Sequence, residues 1–66
     1  MAIKEVKVKH LKGGERVKSW WGREFTATAF RFRQGGEVVI YDENMDEVGK
    51  WHLEQYVEVL NENQVL

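Results

Sequence analysis

Apolar and polar positions alternate with a period of two through most of the chain, and glycine rather than proline marks the breaks. In the first segment Val6, Val8 and His10 fall on one side and Lys7, Lys9 and Leu11 on the other, with the lysines toward solvent. The stretch from Phe25 to Arg33 is the clearest strand: Thr26, Thr28, Phe30 and Phe32 share one face, and Phe25, Ala27, Ala29, Arg31 and Arg33 the other. Alternation resumes from Val38 to Tyr41, and Asp42 to Asp46 reads as an acidic loop before Val48. Lys12-Gly13-Gly14-Glu15-Arg16-Val17 and Gln34-Gly35-Gly36-Glu37-Val38-Val39 both read as hairpin turns, because Gly-Gly supplies the positive φ that two-residue turns need. Neither opens a helix or precedes a Lys-Ser/Thr pair, so neither reads as a phosphate cradle. About five short strands joined by tight turns predict an all-β fold, a small antiparallel barrel or a strongly bent sheet.

The C-terminal segment carries two periodicities. Leu53, Tyr56, Val57 and Leu60 have the spacing of an amphipathic helix, whereas Val57-Glu58-Val59 alternates as a strand just downstream of Gly49. Gly49-Lys50-Trp51-His52-Leu53-Glu54-Gln55-Tyr56-Val57-Glu58-Val59-Leu60 resembles the end of an SH3 domain, where a strand, one 3₁₀ turn and a short last strand complete the barrel. The resemblance implies a 3₁₀ turn before the last strand, and that turn accounts for the i, i+3 spacing without a helix. It covers about these twelve residues. The chain has no Ala-Leu-Tyr-Asp-Tyr start, and the Trp20-Trp21 pair precedes the tyrosine by 35 positions (21 to 56), so only Tyr56 carries over, as a groove-lining residue. A fold alone assigns no function.

With 66 residues the chain is expected to be one domain spanning 1–66, its residues 61–66 trailing as a flexible tail. At this size folding removes only about 60% of the unfolded surface from water. The core must therefore lean on large side chains, here three Trp, three Phe and two Tyr. The absence of Cys excludes disulfides and thiolate metal sites and suits a reducing compartment. No apolar run approaches the roughly 20 residues of a membrane span, and the start MAIKEVKVKH is too charged for a signal peptide. A soluble, cytoplasmic protein without a membrane partner is the expectation.

Charge divides the chain in two. Residues 1–33 carry nine Lys/Arg against three Glu, and residues 34–66 carry eight Asp/Glu against Lys50 alone, which gives the net charge of -1. Such a split means either two faces of opposite sign or strands that pair internally. If the first and last strands neighbour each other, Lys4, Lys7 and Lys9 face Glu54, Glu58 and Glu62 across one ladder.

That pairing leaves Lys18, Arg23, Arg31 and Arg33 on the middle strands, interleaved with aromatics. Trp20 and Trp21, read as extended, point to opposite faces, so one reaches the core and the other stays at the surface. Trp, Tyr and Arg are the residues that dominate interaction hot spots. Catalytic and metal chemistry find little support. His10 and His52 make an incomplete zinc set. Asp42, Asn44 and Asp46 alternate like calcium ligands but lack the required glycine and final glutamate, and Ser19 lacks a strand-turn-helix setting. Neither an enzyme nor a bound metal or cofactor is expected. The favoured reading is a protein-interaction module that binds a partner protein through Trp20 or Trp21, Arg23, Arg31, Arg33 and Tyr56, with the acidic loop steering; its size suits a phage or mobile-element accessory protein. The alternative is a nucleic-acid-binding barrel using the basic half, against which stand the acidic half and an isoelectric point below the basic range. Homo-oligomerisation is a third outcome.

Overall fold

The computed structural model describes residues 4–60. They form seven strands: β1 Lys4–Lys7, β2 Glu15–Lys18, β3 Glu24–Ala27, β4 Ala29–Phe32, β5 Glu37–Tyr41, β6 Glu47–His52 and β7 Tyr56–Val59. The protein is all-β and its sheets are antiparallel, one ordered β1-β7-β2-β3 and the other β4-β5-β6. This corrects the expected barrel of about five strands, because the two sheets do not close on each other through a continuous ladder. The tail expected at 61–66 lies outside the described residues.

Thr28 is the reason for one of the extra strands. It divides the run read as one strand, sending β3 into the first sheet and β4 into the second. Its N–H donates to the Tyr41 carbonyl at 3.0 Å and its hydroxyl to the Asp42 carbonyl at 2.6 Å, which fixes the corner. Passing that corner changes which alternate residues face inward. Phe25 and Ala27 are buried before it, whereas after it Phe30 packs against the core and Arg31 and Arg33 are exposed. The expected common face of Phe25, Ala27, Arg31 and Arg33 therefore does not exist.

Both sheets contribute to one core. Val8, Val17, Phe25, Ala27, Val57 and Val59 come from the first sheet and its 3₁₀ turn, and Val38, Ile40 and Trp51 from the second. Cross-strand registers put Val6 opposite Val57, Val17 opposite both Phe25 and Val59, and Val38 opposite Trp51. Strand alternation thus converts directly into a continuous apolar interior. A register shift between Ile40 and Tyr41 leaves Val48 as the extra residue of β6.

The two Gly-Gly pairs have different fates. Gly35 and Gly36, with φ of 78° and 81°, join β4 to its antiparallel neighbour β5, as a hairpin should. Gly13 and Gly14 also have positive φ, but β1 and β2 do not pair; β7 lies between them. This turn is held by the Glu15 carboxylate, which accepts the N–H of Lys12 at 2.8 Å and of Gly13 at 2.7 Å. The C-terminal segment resolves as strands. β6 runs through His52, a turn closes with the Gln55 N–H on the His52 carbonyl at 2.9 Å, and β7 follows. The turn has the i, i+3 bond expected before the last strand, while the regular 3₁₀ segment lies at Val8–His10.

Part of the charge split resolves as internal pairing, through five of the nine bases of the first half. Lys7 and Lys9 reach Glu54 at 2.9 and 2.8 Å, Arg16 reaches Glu43 at 3.7 Å, Arg23 reaches Asp42 at 2.9 Å and Arg33 reaches Glu37 at 3.3 Å. Each of these pairs joins a base of the first half to an acid of the second. The expected neighbourhood of first and last strands is present, but its register differs: Lys4 stands opposite Val59, and Glu58 opposite Glu5 and Lys18. Glu62 lies outside the described residues.

Glu54 clamps the first strand to the last turn. Its bonds from Lys9 and Lys7 hold its carboxyl down from 4.5 to about 2, and Glu54 in turn raises Lys7. A depressed carboxyl stabilises the fold above its unfolded value and loses that contribution as pH falls through the folded one. Stability should therefore decline between about pH 4.5 and 2. Glu54→Gln should flatten this part of the acid-unfolding curve measured by far-UV circular dichroism, and high salt should shrink the difference because the cluster is exposed. A variant curve that parallels the wild type through that window would show that the clamp contributes nothing.

Candidate binding groove

Ser19-Trp20-Trp21-Gly22 is a tight turn between β2 and β3, not an extended segment. The Gly22 N–H donates to the Ser19 carbonyl at 3.0 Å, the Ser19 N–H to the Arg23 carbonyl at 2.8 Å, and the Arg23 N–H to the Ser19 hydroxyl oxygen at 3.0 Å. Gly22 takes φ of 95°, which glycine adopts without strain. Ser19 is buried and serves the turn.

Because they occupy a turn, both indoles emerge on the same side of the fold. Trp20 is 81% exposed and Trp21 46% exposed, so neither is the core residue expected of the pair. That place belongs to Trp51, which is 2% exposed. Trp21 lies stacked on Trp51 with ring centres 5.6 Å apart and planes 23° apart, and Trp20 meets Trp21 edge-on at 5.3 Å. Phe25 continues the series inward at 6.1 Å from Trp51. Gly49 makes room for this stack, since a Cβ there would stand 3.2 Å from Trp21 Cη2 and 3.5 Å from Trp51 Cζ3.

Trp20, Trp21 and Tyr56 line one open groove of about 550 Å³ with Glu5, Lys18, Ser19, Gly22, Val57 and Glu58. Tyr56, at the start of β7, is 57% exposed, and the Lys7 ammonium lies 5.8 Å from its ring centre. The groove floor is the outer face of the first sheet. Glu5 on β1, Glu58 on β7, Lys18 on β2 and Glu24 on β3 form a row across four strands. Glu5 and Glu58 are directly opposed, and among the described residues neither makes an ion pair or a side-chain hydrogen bond. The sequence pattern carried a partial signal for them, since alternation around Val57 and Val59 puts Glu58 on the outer face. The register that sets Glu5 beside it comes only from the assembled sheet.

The three arginines do not join this groove. Arg23 donates to the buried Asp42 and its guanidinium carbon lies 5.9 Å from the Phe25 ring centre. Asp42 also accepts the N–H groups of Asn44 at 2.8 Å and Asp46 at 3.0 Å, and the Asp46 bond is the leading cause that holds its carboxyl below the usual range. The calcium-like alternation of Asp42, Asn44 and Asp46 is thus the signature of a side-chain-closed turn. Glu43 accepts the Thr26 N–H at 3.0 Å, chiefly for which its carboxyl is lowered, and so covers the free edge of β3. Within the acidic loop these two carboxylates hold the local fold. Arg31 and Arg33 lie with Phe32, Gln34 and Glu37 on a separate surface along β4 and its turn, where Phe32 is 65% exposed.

His52 is tied into its own turn, its Nδ1 accepting the Glu54 N–H at 3.1 Å, and His10 is exposed on the 3₁₀ turn after β1. Among the described residues no group of three or more His, Asp or Glu is placed to hold a metal ion. No helix among them is long and apolar enough to cross a membrane. No protein-family model, curated protein or solved structure matches the chain.

The three tryptophans should separate in denaturant unfolding. Trp51→Ala should cost about 3 to 5 kcal/mol, the range for a buried large aromatic. Trp21→Ala should cost about 1 to 2 kcal/mol, because it loses a stack at the protein surface. Trp20→Ala should stay within about 0.5 kcal/mol of wild type. Equal and large losses at Trp20 and Trp51 would contradict the surface placement of Trp20.

Proposed function

We propose that the chain is a non-enzymatic protein-interaction module whose partner protein binds at the Trp20/Trp21/Tyr56 groove. The observation that carries this reading is the cluster of three exposed aromatic rings around one groove, in a domain short of large apolar side chains for its core. A small domain that leaves such rings in water forgoes stability, and aromatic anchors in a pocket are what interaction hot spots use. Arg31, Phe32 and Arg33 form a second surface that can extend the contact, while Arg23 acts through Asp42 as part of the scaffold.

The order of the strands supports an open, SH3-like architecture for the module. β2, the bent pair β3 and β4, then β5 and β6 follow one another, and β7 returns through an i, i+3 turn to lie beside β2. Tyr56, the residue carried over from the resemblance, lines this groove and so supports the same reading. Charge supports a protein over a polyanion, because Glu5 and Glu58 border the groove and each arginine is remote from it or paired.

Affinity capture from native lysate, with ribonuclease and deoxyribonuclease controls, tests the reading. Trp20→Ala combined with Tyr56→Ala should reduce capture of a nuclease-resistant protein partner roughly tenfold or more, with an unchanged circular dichroism spectrum. Loss of the captured material on nuclease treatment, together with salt-sensitive binding of single-stranded oligonucleotides, would favour the basic-half nucleic-acid reading instead.

A further inference from the structure

We infer that the groove takes a lysine or arginine side chain of the partner protein, held between its aromatic walls and the carboxylates of Glu5 and Glu58. The inference rests on the interaction-module reading and names the chemistry of its partner. It starts from an unmatched charge. Opposed like charges on neighbouring strands destabilise a ladder, and Glu5 stands directly opposite Glu58. Elsewhere five bases of the first half find acids of the second, and next to this strand pair Lys7 and Lys9 converge on Glu54. Neither Glu5 nor Glu58 has such a partner among the described residues.

Among the described residues Lys18 is the one base lining the groove, so Glu5, Glu58 and Lys18 sum to a charge of -1. In the register Lys18 lies between Glu58 and Glu24. Glu5, on the far side of Glu58, has no base across the ladder. A cation entering from solvent would relieve the opposed pair.

The walls favour the same occupant. Trp and Tyr faces attract ammonium and guanidinium groups within about 6 Å, and Tyr56 already has the Lys7 ammonium at 5.8 Å from its ring centre. An anionic segment would meet two carboxylates. An uncharged apolar segment would match the rings but would strip water from those carboxylates without replacing it. A basic side chain satisfies both, with its alkyl stem on the indoles and its head at the acids. The Arg31/Phe32 surface makes no equal case, since it offers one exposed ring and carries two arginines against Glu37 alone, a sign that would repel a basic side chain.

The test is a nuclear magnetic resonance titration of the isotope-labelled full chain with acetyl-Ala-Arg-Ala-Arg-Ala-amide and with its citrulline analogue, which keeps the shape and removes the charge. The arginine peptide should shift the indole N–H signals of Trp20 and Trp21 saturably, and the citrulline peptide should bind about tenfold more weakly or worse. Glu5→Gln should weaken the arginine peptide by a similar factor while raising the melting midpoint, a pairing that simple damage to the fold would not give. Equal binding of the two peptides, shifts that map to Arg31 and Arg33, or no shift at millimolar peptide would overturn the inference. If those results came with loss of partner capture on Trp20 and Tyr56 substitution, the module reading would stand and the cationic occupant would fall. Capture unaffected by those substitutions would remove both.

Discussion

The stack of Trp21 on Trp51 is the contact that ties groove to core. Trp51 belongs to β6 of the second sheet, Phe25 to β3 of the first, and Trp21 to the turn that leads into β3. One column of rings therefore spans both sheets and ends at the surface. Fully burying a large aromatic removes about 150 to 250 Å² from water, or roughly 4 to 6 kcal/mol of transfer free energy at 25 cal/mol/Å². In a domain of this size two such rings, Trp51 and Phe25, hold a large share of the core. The absence of a side chain at Gly49 lets Trp21 settle on this column, and Trp20, beside it in the turn, is then left in water.

Charge completes what packing begins. The acids of Asp42 and Glu43 are spent inside the fold, one closing the β5–β6 turn and receiving Arg23, the other covering the β3 edge. Glu54 gathers Lys7 and Lys9 to the last turn. What remains unmatched at the groove is the Glu5 and Glu58 pair, because β7 lies between β1 and β2 and brings its outer carboxylate against that of β1. The same strand order that closes the core thus concentrates negative charge beside the exposed rings.

Much of the fold was legible in the sequence. Alternation put Phe25 with Ala27 on one face and marked strands at Val38 to Tyr41 and Val57 to Val59, all of which supply core residues, and the second Gly-Gly pair marked a true hairpin. Three features were missed, the first two because they depend on partners distant in sequence. The corner at Thr28 is set by carbonyls of Tyr41 and Asp42, so a period of two carried past it assigned Arg31 and Arg33 to the wrong face. The first Gly-Gly turn joins strands separated by β7, which local residues cannot reveal. The Trp pair was read as extended although Ser19 and Gly22 flank it as turn residues, a signal present in the chain but outweighed by the strand preference of tryptophan. Of the candidate site, Trp20, Trp21 and Tyr56 were named from composition and resemblance, and the structure brings them together. The arginines were not sorted, because exposure and pairing follow from topology.

The central claim is that Trp21 lies across Gly49 and against Trp51, holding the groove to the core. Nuclear Overhauser spectroscopy of the wild-type chain addresses it without substitution. The account predicts cross-peaks from the Trp21 ring protons to the Gly49 α-protons and the Trp51 ring, with the Gly49 α-protons displaced upfield by the overlying indole. Gly49 α-protons at ordinary positions, with no cross-peak to Trp21, would mean that the turn is detached from the core and would contradict the account.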